Sequence, residues 1–116
     1  MDRRKELKEQ YKRMKPEMGI FLIKSLTDKR YHLEAVSNLK GAVNRARFQL
    51  SAGSHPNREL QKAWNEKGEA GFSVEIPEIL AYDKDESKTD YSEELGVLQM
   101  IWEEKLASEG WQKYSK

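Results

Sequence analysis

The sequence contains no cysteine, and it has only two histidines, His32 and His55. The first absence excludes disulfide frameworks, thiolate metal sites and cysteine nucleophiles. The two histidines stand apart and belong to no His-x₃-His or His-Glu-x-x-His array, so a histidine-rich metal site is not expected. These absences remove disulfide-stapled folds, zinc-finger-like folds and cysteine-dependent enzymes from consideration.

Long apolar stretches and an excess of one charge are also missing. No apolar run approaches the roughly 20 residues of a membrane span. Residues 1–15 have no apolar centre of the kind found in a signal peptide. We therefore expect a cytoplasmic protein without membrane contact. The formal net charge of +1 gives no overall electrostatic reason to expect a nucleic-acid partner.

Charge is instead concentrated in segments that cancel in the total. Residues 1–15 and 38–58 are basic, the latter without any acidic residue, whereas residues 83–94 are acidic. Such segments are often no more than solvated surfaces. Lysine and arginine also supply affinity for phosphates without reading sequence, so both interpretations of the second basic segment remain open. Its candidate nucleic-acid-binding residues are Lys40, Asn44, Arg45, Arg47 and Arg58.

The first half of the chain predicts a helix followed by two strands. Residues 2–14 are rich in helix-forming side chains, and Pro16 ends this helix. The continuous apolar run 20–23 is typical of a strand that is buried on both faces. Apolar and polar residues then alternate over 31–36. Because only a short polar turn separates the two strands, they are predicted to form an antiparallel hairpin.

Two helices are predicted next. Ser37 or Asn38 is suited to cap the first, which carries a buried apolar stripe at helical spacing and ends at Gly53. The second follows residues 55–57, and Gly68 lies where a helix commonly terminates. Both helices are therefore expected to pack one face against the sheet.

A third strand and a final helix complete the pattern. Residues 72–76 alternate as a strand, which Pro77 confines to a sheet edge or a strand end. Asp90 and Glu93 have the spacing of a capping box before the last helix. The predicted order is α-β-β-α-α-β-α. The predicted fold is an α+β domain with a small three-stranded antiparallel sheet flanked by helices.

Several local segments, in this order, resemble the GIY-YIG nuclease superfamily. Two tripeptides stand where that family has its two eponymous ones, and later segments are similar to those that open its first two core helices and its third strand. Together they cover about residues 19–106. The resembling segments are Gly19-Ile20-Phe21, Tyr31-His32-Leu33, Ser37 to Lys40, His55 to Asn57, Leu60 to Glu69 and Phe72 to Ile76.

The resemblance implies a family that cleaves phosphodiesters with one divalent metal ion. It places the first catalytic tyrosine at Phe21, which has no hydroxyl, and the second at Tyr31, which is retained. The arginine that stabilises the transition state falls at Ala42, and a histidine one turn later falls at Ala46. The metal-binding glutamate falls at Gln99, whose neutral amide binds a hard cation weakly. The resemblance thus implies a degenerate member without an intact catalytic set.

Three functional hypotheses follow from this resemblance. The first is a catalytically inactive domain that binds nucleic acid in a bacterial regulatory role, because some members lacking catalytic groups are associated with bacterial transcriptional regulators. The second is an active endonuclease with relocated groups, in which Arg45 and Glu103 would act and Glu103 would help to hold Mg²⁺ or Mn²⁺. The third is a protein-interaction domain. No cofactor is expected unless the domain is active.

The expected domain organisation has three parts. Residues 1–16 form an N-terminal helical extension, residues 17–107 form the GIY-YIG-like domain, and residues 108–116 form a C-terminal tail. The apolar stripe of the first helix is narrow. It is therefore a candidate surface for a protein partner or for homo-oligomerisation.

Overall fold

A computed structural model describes residues 15–115, so the helix predicted over 2–14 lies outside the described residues. Four strands and three α-helices follow one another in the described part, with a short 3₁₀ turn before β3. Within it, no helix combines the length and apolarity that crossing a membrane requires. The elements are β1 (Met18–Ser25), β2 (Arg30–Val36), α1 (Leu39–Ala52), α2 (Arg58–Lys67), the 3₁₀ turn (Glu69–Gly71), β3 (Phe72–Leu80), α3 (Ser92–Ser108) and β4 (Gln112–Lys113).

The strands form one mixed sheet in the order β3-β1-β2-β4. β1 pairs antiparallel with both β2 and β3, as the hairpin prediction required for the first pair. β4 pairs parallel with β2 through Arg30 and Tyr31. The prediction of a three-stranded antiparallel sheet is therefore wrong, and so is the predicted order, because the described elements run β-β-α-α-β-α-β.

The fourth strand forms because the chain reverses direction after α3. Gly110 adopts a φ of 87°, a left-handed conformation that glycine accepts without steric cost. The backbone N–H of Gln112 then donates to the carbonyl of Lys29 at 2.7 Å, and that of Tyr114 donates to Tyr31 at 2.8 Å. A strand of two residues has no alternating pattern, so only its tertiary pairing defines it.

Close packing in the middle of the sheet requires a glycine at position 19. A Cβ atom there would overlap the carbonyl oxygen of Glu78 on the neighbouring strand, and the φ of Gly19 is 156°. The register between β1 and β3 also shifts between Ile20 and Leu22. The first glycine of the GIY-like tripeptide therefore permits the close approach of β3.

Helices cover both faces of the sheet. On one face, α1 and α2 pack on Phe21 and Ile23 through a cluster that includes Leu50, Leu60 and the ring of Tyr114. On the other face, α3 packs on a second cluster, whose buried members are Ile20, Leu22, Tyr31, Leu33, Leu98 and Leu106. The continuous burial of β1 confirms the prediction of a strand buried on both faces.

Candidate functional site

A groove of about 820 Å³ lies next to strand β2, where side chains of α1, α3 and the β4 region meet. A second hollow of about 790 Å³ adjoins it, and Ala42, Arg45 and Gln99 line both. Four of the predicted site positions line this groove, namely Ala42, Arg45, Ala46 and Gln99. Its other lining residues are His32, Leu33, Glu34, Gln49, His55, Pro56, Asn57, Lys113, Tyr114 and Ser115.

The predicted catalytic positions are only partly brought together. Ala42 and Ala46, one turn apart on α1, line the groove with Gln99 of α3. Phe21 is 1% exposed and lies in the core beneath α1. Tyr31 points to the other face of the sheet, into the cluster that packs against α3. Of the predicted catalytic positions, the two alanines and Gln99 therefore line the groove. The rings of Phe21 and Tyr31 do not line it.

Strand alternation explains which residues of β2 face the groove. His32 pairs with Ile23, and Glu34 pairs with Phe21. Directly paired residues share a face, so His32 and Glu34 lie on the α1 side while Tyr31 lies on the α3 side. His32 and Glu34 were not predicted as site residues, although the alternation over 31–36 could have placed them on one face.

Glu103, the weak metal candidate, is bound to other side chains. Its Oε1 accepts hydrogen bonds from Lys113 Nζ at 2.9 Å and from Gln99 Nε2 at 3.1 Å. Burial disfavours the charged form of Glu103, but the hydrogen bonds from Lys113 and Gln99 outweigh burial and keep its pKa below the ordinary value. Its carboxylate is thus an acceptor within a local network, next to the amide that lines the groove.

The cations of the basic segment are exposed. Arg45 lines the groove, whereas Lys40, Asn44 and Arg47 follow one another at helical spacing along another side of α1. Arg58 opens α2 and lines a smaller hollow with Lys62. Among the described residues, Lys40, Arg45, Arg47 and Arg58 form no ion pair. Their charges are therefore available to an anionic partner.

One described group of three residues has the spacing of a metal site. His32, Glu34 and His55 each offer one ligand atom within 4.8 Å of the others. His32 Nε2 lies 2.9 Å from Glu34 Oε2, and the two histidine rings meet edge to face at 5.2 Å. His55 lies 23 positions after His32, in the turn before α2, so only the fold brings the two rings together.

Asn57 determines where the protons of both histidine rings lie. Its backbone N–H donates to His55 Nδ1 at 3.0 Å. Its side-chain oxygen accepts from the N–H of Leu60 at 3.1 Å, so its amide NH₂ faces His32 Nδ1 at 3.3 Å and the carbonyl of Tyr114 at 3.2 Å. Both Nδ1 atoms therefore accept hydrogen bonds, and each neutral ring carries its proton on Nε2.

The pKa direction of His55 agrees with a neutral His55 ring. Burial, followed by the charge of His32, lowers the pKa of His55 below its ordinary value. The hydrogen bond from His32 lowers the pKa of Glu34 despite partial burial. In the neutral cluster, His32 therefore donates its Nε2–H to the Glu34 carboxylate.

These hydrogen bonds oppose a metal ion at this cluster. A histidine that binds a metal through one nitrogen normally donates the N–H of the other to an acceptor. Here Nδ1 of each ring already faces an N–H of Asn57. A metal on Nε2 would therefore place two donors face to face at both rings. The ligand spacing permits an ion, but the surrounding donors do not fit one. Gln99, where the resemblance places the metal-binding glutamate, also offers a metal ion only a neutral amide.

Comparisons with known proteins identify the fold. Neither the protein-family models nor the curated protein sequences match this chain. The catalytic domain of homing endonuclease I-TevI matches with a TM-score of 0.64 and 22% identity over 85% of this chain and 99% of that chain. The E75A mutant of the catalytic domain of intron endonuclease I-TevI matches with a TM-score of 0.58 and 21% identity. This match covers 83% of this chain and 90% of that chain. Identities this low show the fold alone, and the described chain has a GIY-YIG-like α+β fold.

Proposed function

We propose that this chain is a nucleic-acid-binding module that does not cleave its ligand. The observation that carries the proposal is the pairing of Ala42 and Gln99 in one groove. The family resemblance assigns these positions to an arginine and a metal-binding glutamate. Alanine cannot neutralise a phosphate, and an amide brings no charge to a cation. Because one lost electrostatic group typically lowers a catalysed rate by about 10²–10³, two such losses leave little activity.

The binding part of the proposal rests on one cation in the groove and on three exposed cations outside it. Arg45 reaches the groove itself, and Lys40, Arg47 and Arg58 are exposed without ion-pair partners in the described structure. These residues would contact phosphates and would set affinity rather than sequence preference. A bacterial regulatory role follows from the resemblance to family members associated with transcriptional regulators.

Fluorescence anisotropy of labelled single- and double-stranded DNA and RNA tests the proposal directly. If three phosphates are contacted on duplex DNA, affinity falls roughly 40-fold between about 50 and 200 mM salt. The double variant Arg45→Ala/Arg47→Ala weakens binding. A control with equal charge loss, Lys84→Ala/Lys105→Ala, changes residues of the acidic segment and of α3 and leaves binding nearly unchanged. Absence of binding at both salt concentrations would refute the proposal.

An active nuclease is the second candidate, and the position of Arg45 favours it. Arg45 lies one turn after Ala42 and lines the same groove. Glu103, one turn after Gln99, is already engaged by Lys113. Helical neighbours one turn apart are separated by about 5 Å, whereas catalytic groups tolerate about 0.5 Å. Plasmid nicking in Mg²⁺ or Mn²⁺ that disappears with EDTA and with Glu103→Ala would establish this function instead.

Restoring the two missing groups provides a gain-of-function test of the residue placement. The variant Ala42→Arg/Gln99→Glu returns a guanidinium and a carboxylate to the groove. We expect it to bind Mn²⁺ more tightly than the natural chain in a calorimetric titration, because a carboxylate replaces a neutral ligand. Ala42→Lys/Gln99→Met serves as the control without a carboxylate. Equal Mn²⁺ affinity in a folded double variant would contradict the placement of Gln99.

Exposed apolar side chains favour a protein-interaction function as the third candidate. α3 exposes Val97, Met100 and Ile101, and the edge strand β3 exposes Ile76 and Ile79. Sedimentation analysis distinguishes this candidate. A defined oligomer without nucleic-acid affinity would support it, and truncation of residues 1–16 would show whether the predicted N-terminal extension contributes.

A further inference from the structure

We propose that Asn57 couples protonation of the groove histidines to the attachment of residues 112–115, so that acid releases one wall of the groove. Residues 112–115, named the C-terminal segment below, comprise β4 with Tyr114 and Ser115. The inference rests on the proposed function only in that the groove is the site expected to hold nucleic acid. The coupling itself is a property of the free protein.

The first step is the location of the added proton. Each neutral ring carries a proton on Nε2, so a second proton must bind at Nδ1. At His55 the new N–H would face the backbone N–H of Asn57, which now lies 3.0 Å from Nδ1. At His32 it would face the Asn57 amide, now 3.3 Å away. Protonation of either ring therefore replaces a hydrogen bond to Asn57 by a contact between two donors.

The second step is what Asn57 supports. Its side chain caps α2 through Leu60 and donates to the carbonyl of Tyr114. Tyr114 is 2% exposed, and its ring lies in the core cluster beneath α1 and α2. A displaced Asn57 loses both bonds at once. The start of α2 and the C-terminal segment would consequently loosen together.

Charged groups on the surrounding elements determine which ring responds. From β2, the Glu34 carboxylate accepts a hydrogen bond from His32 and so compensates a charge on that ring. From α1, Arg45 acts on Glu34, and from β4, Lys113 lines the same groove. Among the described residues no carboxylate forms a hydrogen bond with His55, which is 6% exposed. The Glu34 carboxylate lies within 4.8 Å of the His55 ring and only partly offsets the burial that lowers its pKa. His55 is therefore the ring whose protonation disrupts the structure most.

The direction of the pH dependence follows from His55. Burial first, and then the charge of His32, lower its folded-state pKa below the ordinary histidine value. The unfolded chain consequently takes up this proton at higher pH than the folded chain does. The stability contributed by neutral His55 is complete above the ordinary histidine pKa and is lost as the pH falls from there through the lowered folded-state pKa.

NMR spectroscopy of the free protein tests the coupling. Imidazole ¹⁵N shifts at about pH 8 should show both rings as Nε2–H tautomers. Equimolar Zn²⁺ should leave them unchanged. As His55 protonates, the amide signals of Asn57, Leu60 and Tyr114 should shift along one titration curve. After correction for intrinsic rates, amide exchange in the C-terminal segment should accelerate at least about tenfold, as expected for a local opening.

Variants separate the coupling from a general loss of stability in acid. His55→Asn keeps an acceptor for the N–H of residue 57 in an Asx turn but cannot titrate, and His32→Gln is the matched change on β2. We expect His55→Asn to remove most of the transition near the ordinary histidine pKa and the double variant to remove all of it. Loosening at lower pH, where Glu59 is protonated and loses its bonds to Ser115, should remain in both variants. An Nδ1–H tautomer in either ring, ring signals that shift with Zn²⁺, or an unchanged transition in the double variant would overturn the inference. Each readout is independent of nucleic-acid binding.

Discussion

Asn57 makes several buried contacts, so its replacement by alanine should destabilise the protein more than the loss of a helix cap alone. Asn57 is 3% exposed. Its side chain accepts one hydrogen bond from Leu60 and donates to the carbonyl of Tyr114 and to the ring of His32. Asn57→Ala removes all three. The N–H of Leu60, the carbonyl of Tyr114 and Nδ1 of His32 then lose their hydrogen bonds to Asn57 in a part of the groove wall where water has little access.

The size of the effect follows from these contacts. Loss of an N-cap costs about 1 kcal/mol. Each of the two further hydrogen bonds adds about 1 kcal/mol, so the free energy of unfolding should fall by about 3 kcal/mol. Asn38 provides the matched control, because it caps α1 through a single bond to Gly41 and is exposed. Asn38→Ala should therefore cost about 1 kcal/mol.

Urea unfolding followed by tryptophan fluorescence measures the difference. With an m value of about 1.5 kcal/mol per M, the midpoints of the two variants should differ by about 1.3 M. Asn57→Ser retains a capping oxygen but loses the amide donors, so it should fall between Asn57→Ala and the natural chain. Equal destabilisation by Asn57→Ala and Asn38→Ala, within about 0.5 kcal/mol, would refute the assigned contacts to Tyr114 and His32.

Further predictions concern two glycines and a tyrosine. Gly19→Ala should lower the free energy of unfolding by at least about 3 kcal/mol, because the new Cβ would overlap the carbonyl of Glu78. Gly96→Ala, at an exposed position of α3, should raise the free energy of unfolding by about 0.5–1 kcal/mol. Chemical denaturation checks both, and equal effects would contradict the close approach of β3. Tyr114→Phe should be neutral or stabilising, because within the described residues the buried hydroxyl makes at most a weak contact with Ser25. Tyr114→Ala should cost about 3–5 kcal/mol. A thermal melt in which Tyr114→Phe unfolds as early as Tyr114→Ala would show that the hydroxyl is satisfied.

Most of the secondary structure could be predicted from the sequence because its periods are strong. The buried run of β1, the hairpin to β2 and the helix capped by Asn38 are all confirmed. Pro77 lies within β3, on an edge strand where a missing N–H is tolerated, as the sequence required. The predicted capping box at Asp90 is wrong. α3 begins one residue later, with Tyr91 as its N-cap, and the Asp90 carboxylate accepts a hydrogen bond from the N–H of Ser92 at 2.9 Å.

The site was harder to predict than the fold because its geometry depends on distant segments. The family resemblance singled out Ala42, Ala46 and Gln99, and all three line the groove. Nothing in the local sequence could place His55 against His32, since the turn before α2 brings the two rings together. β4 was missed for the same reason: it exists only through its pairing with β2.

The contact between Asn57 and Tyr114 also affects how the chain can fold during synthesis. The two residues are 57 positions apart, so α2 can form and pack long before its capping side chain has its last partner. Contacts of such long range form slowly because a large loop must close first. A nascent chain that still lacks residues 112–115 would expose the edge of β2 and the apolar socket for the Tyr114 ring. In this state the protein should be most open to chaperones and proteases, and emergence of the last strand should end that exposure.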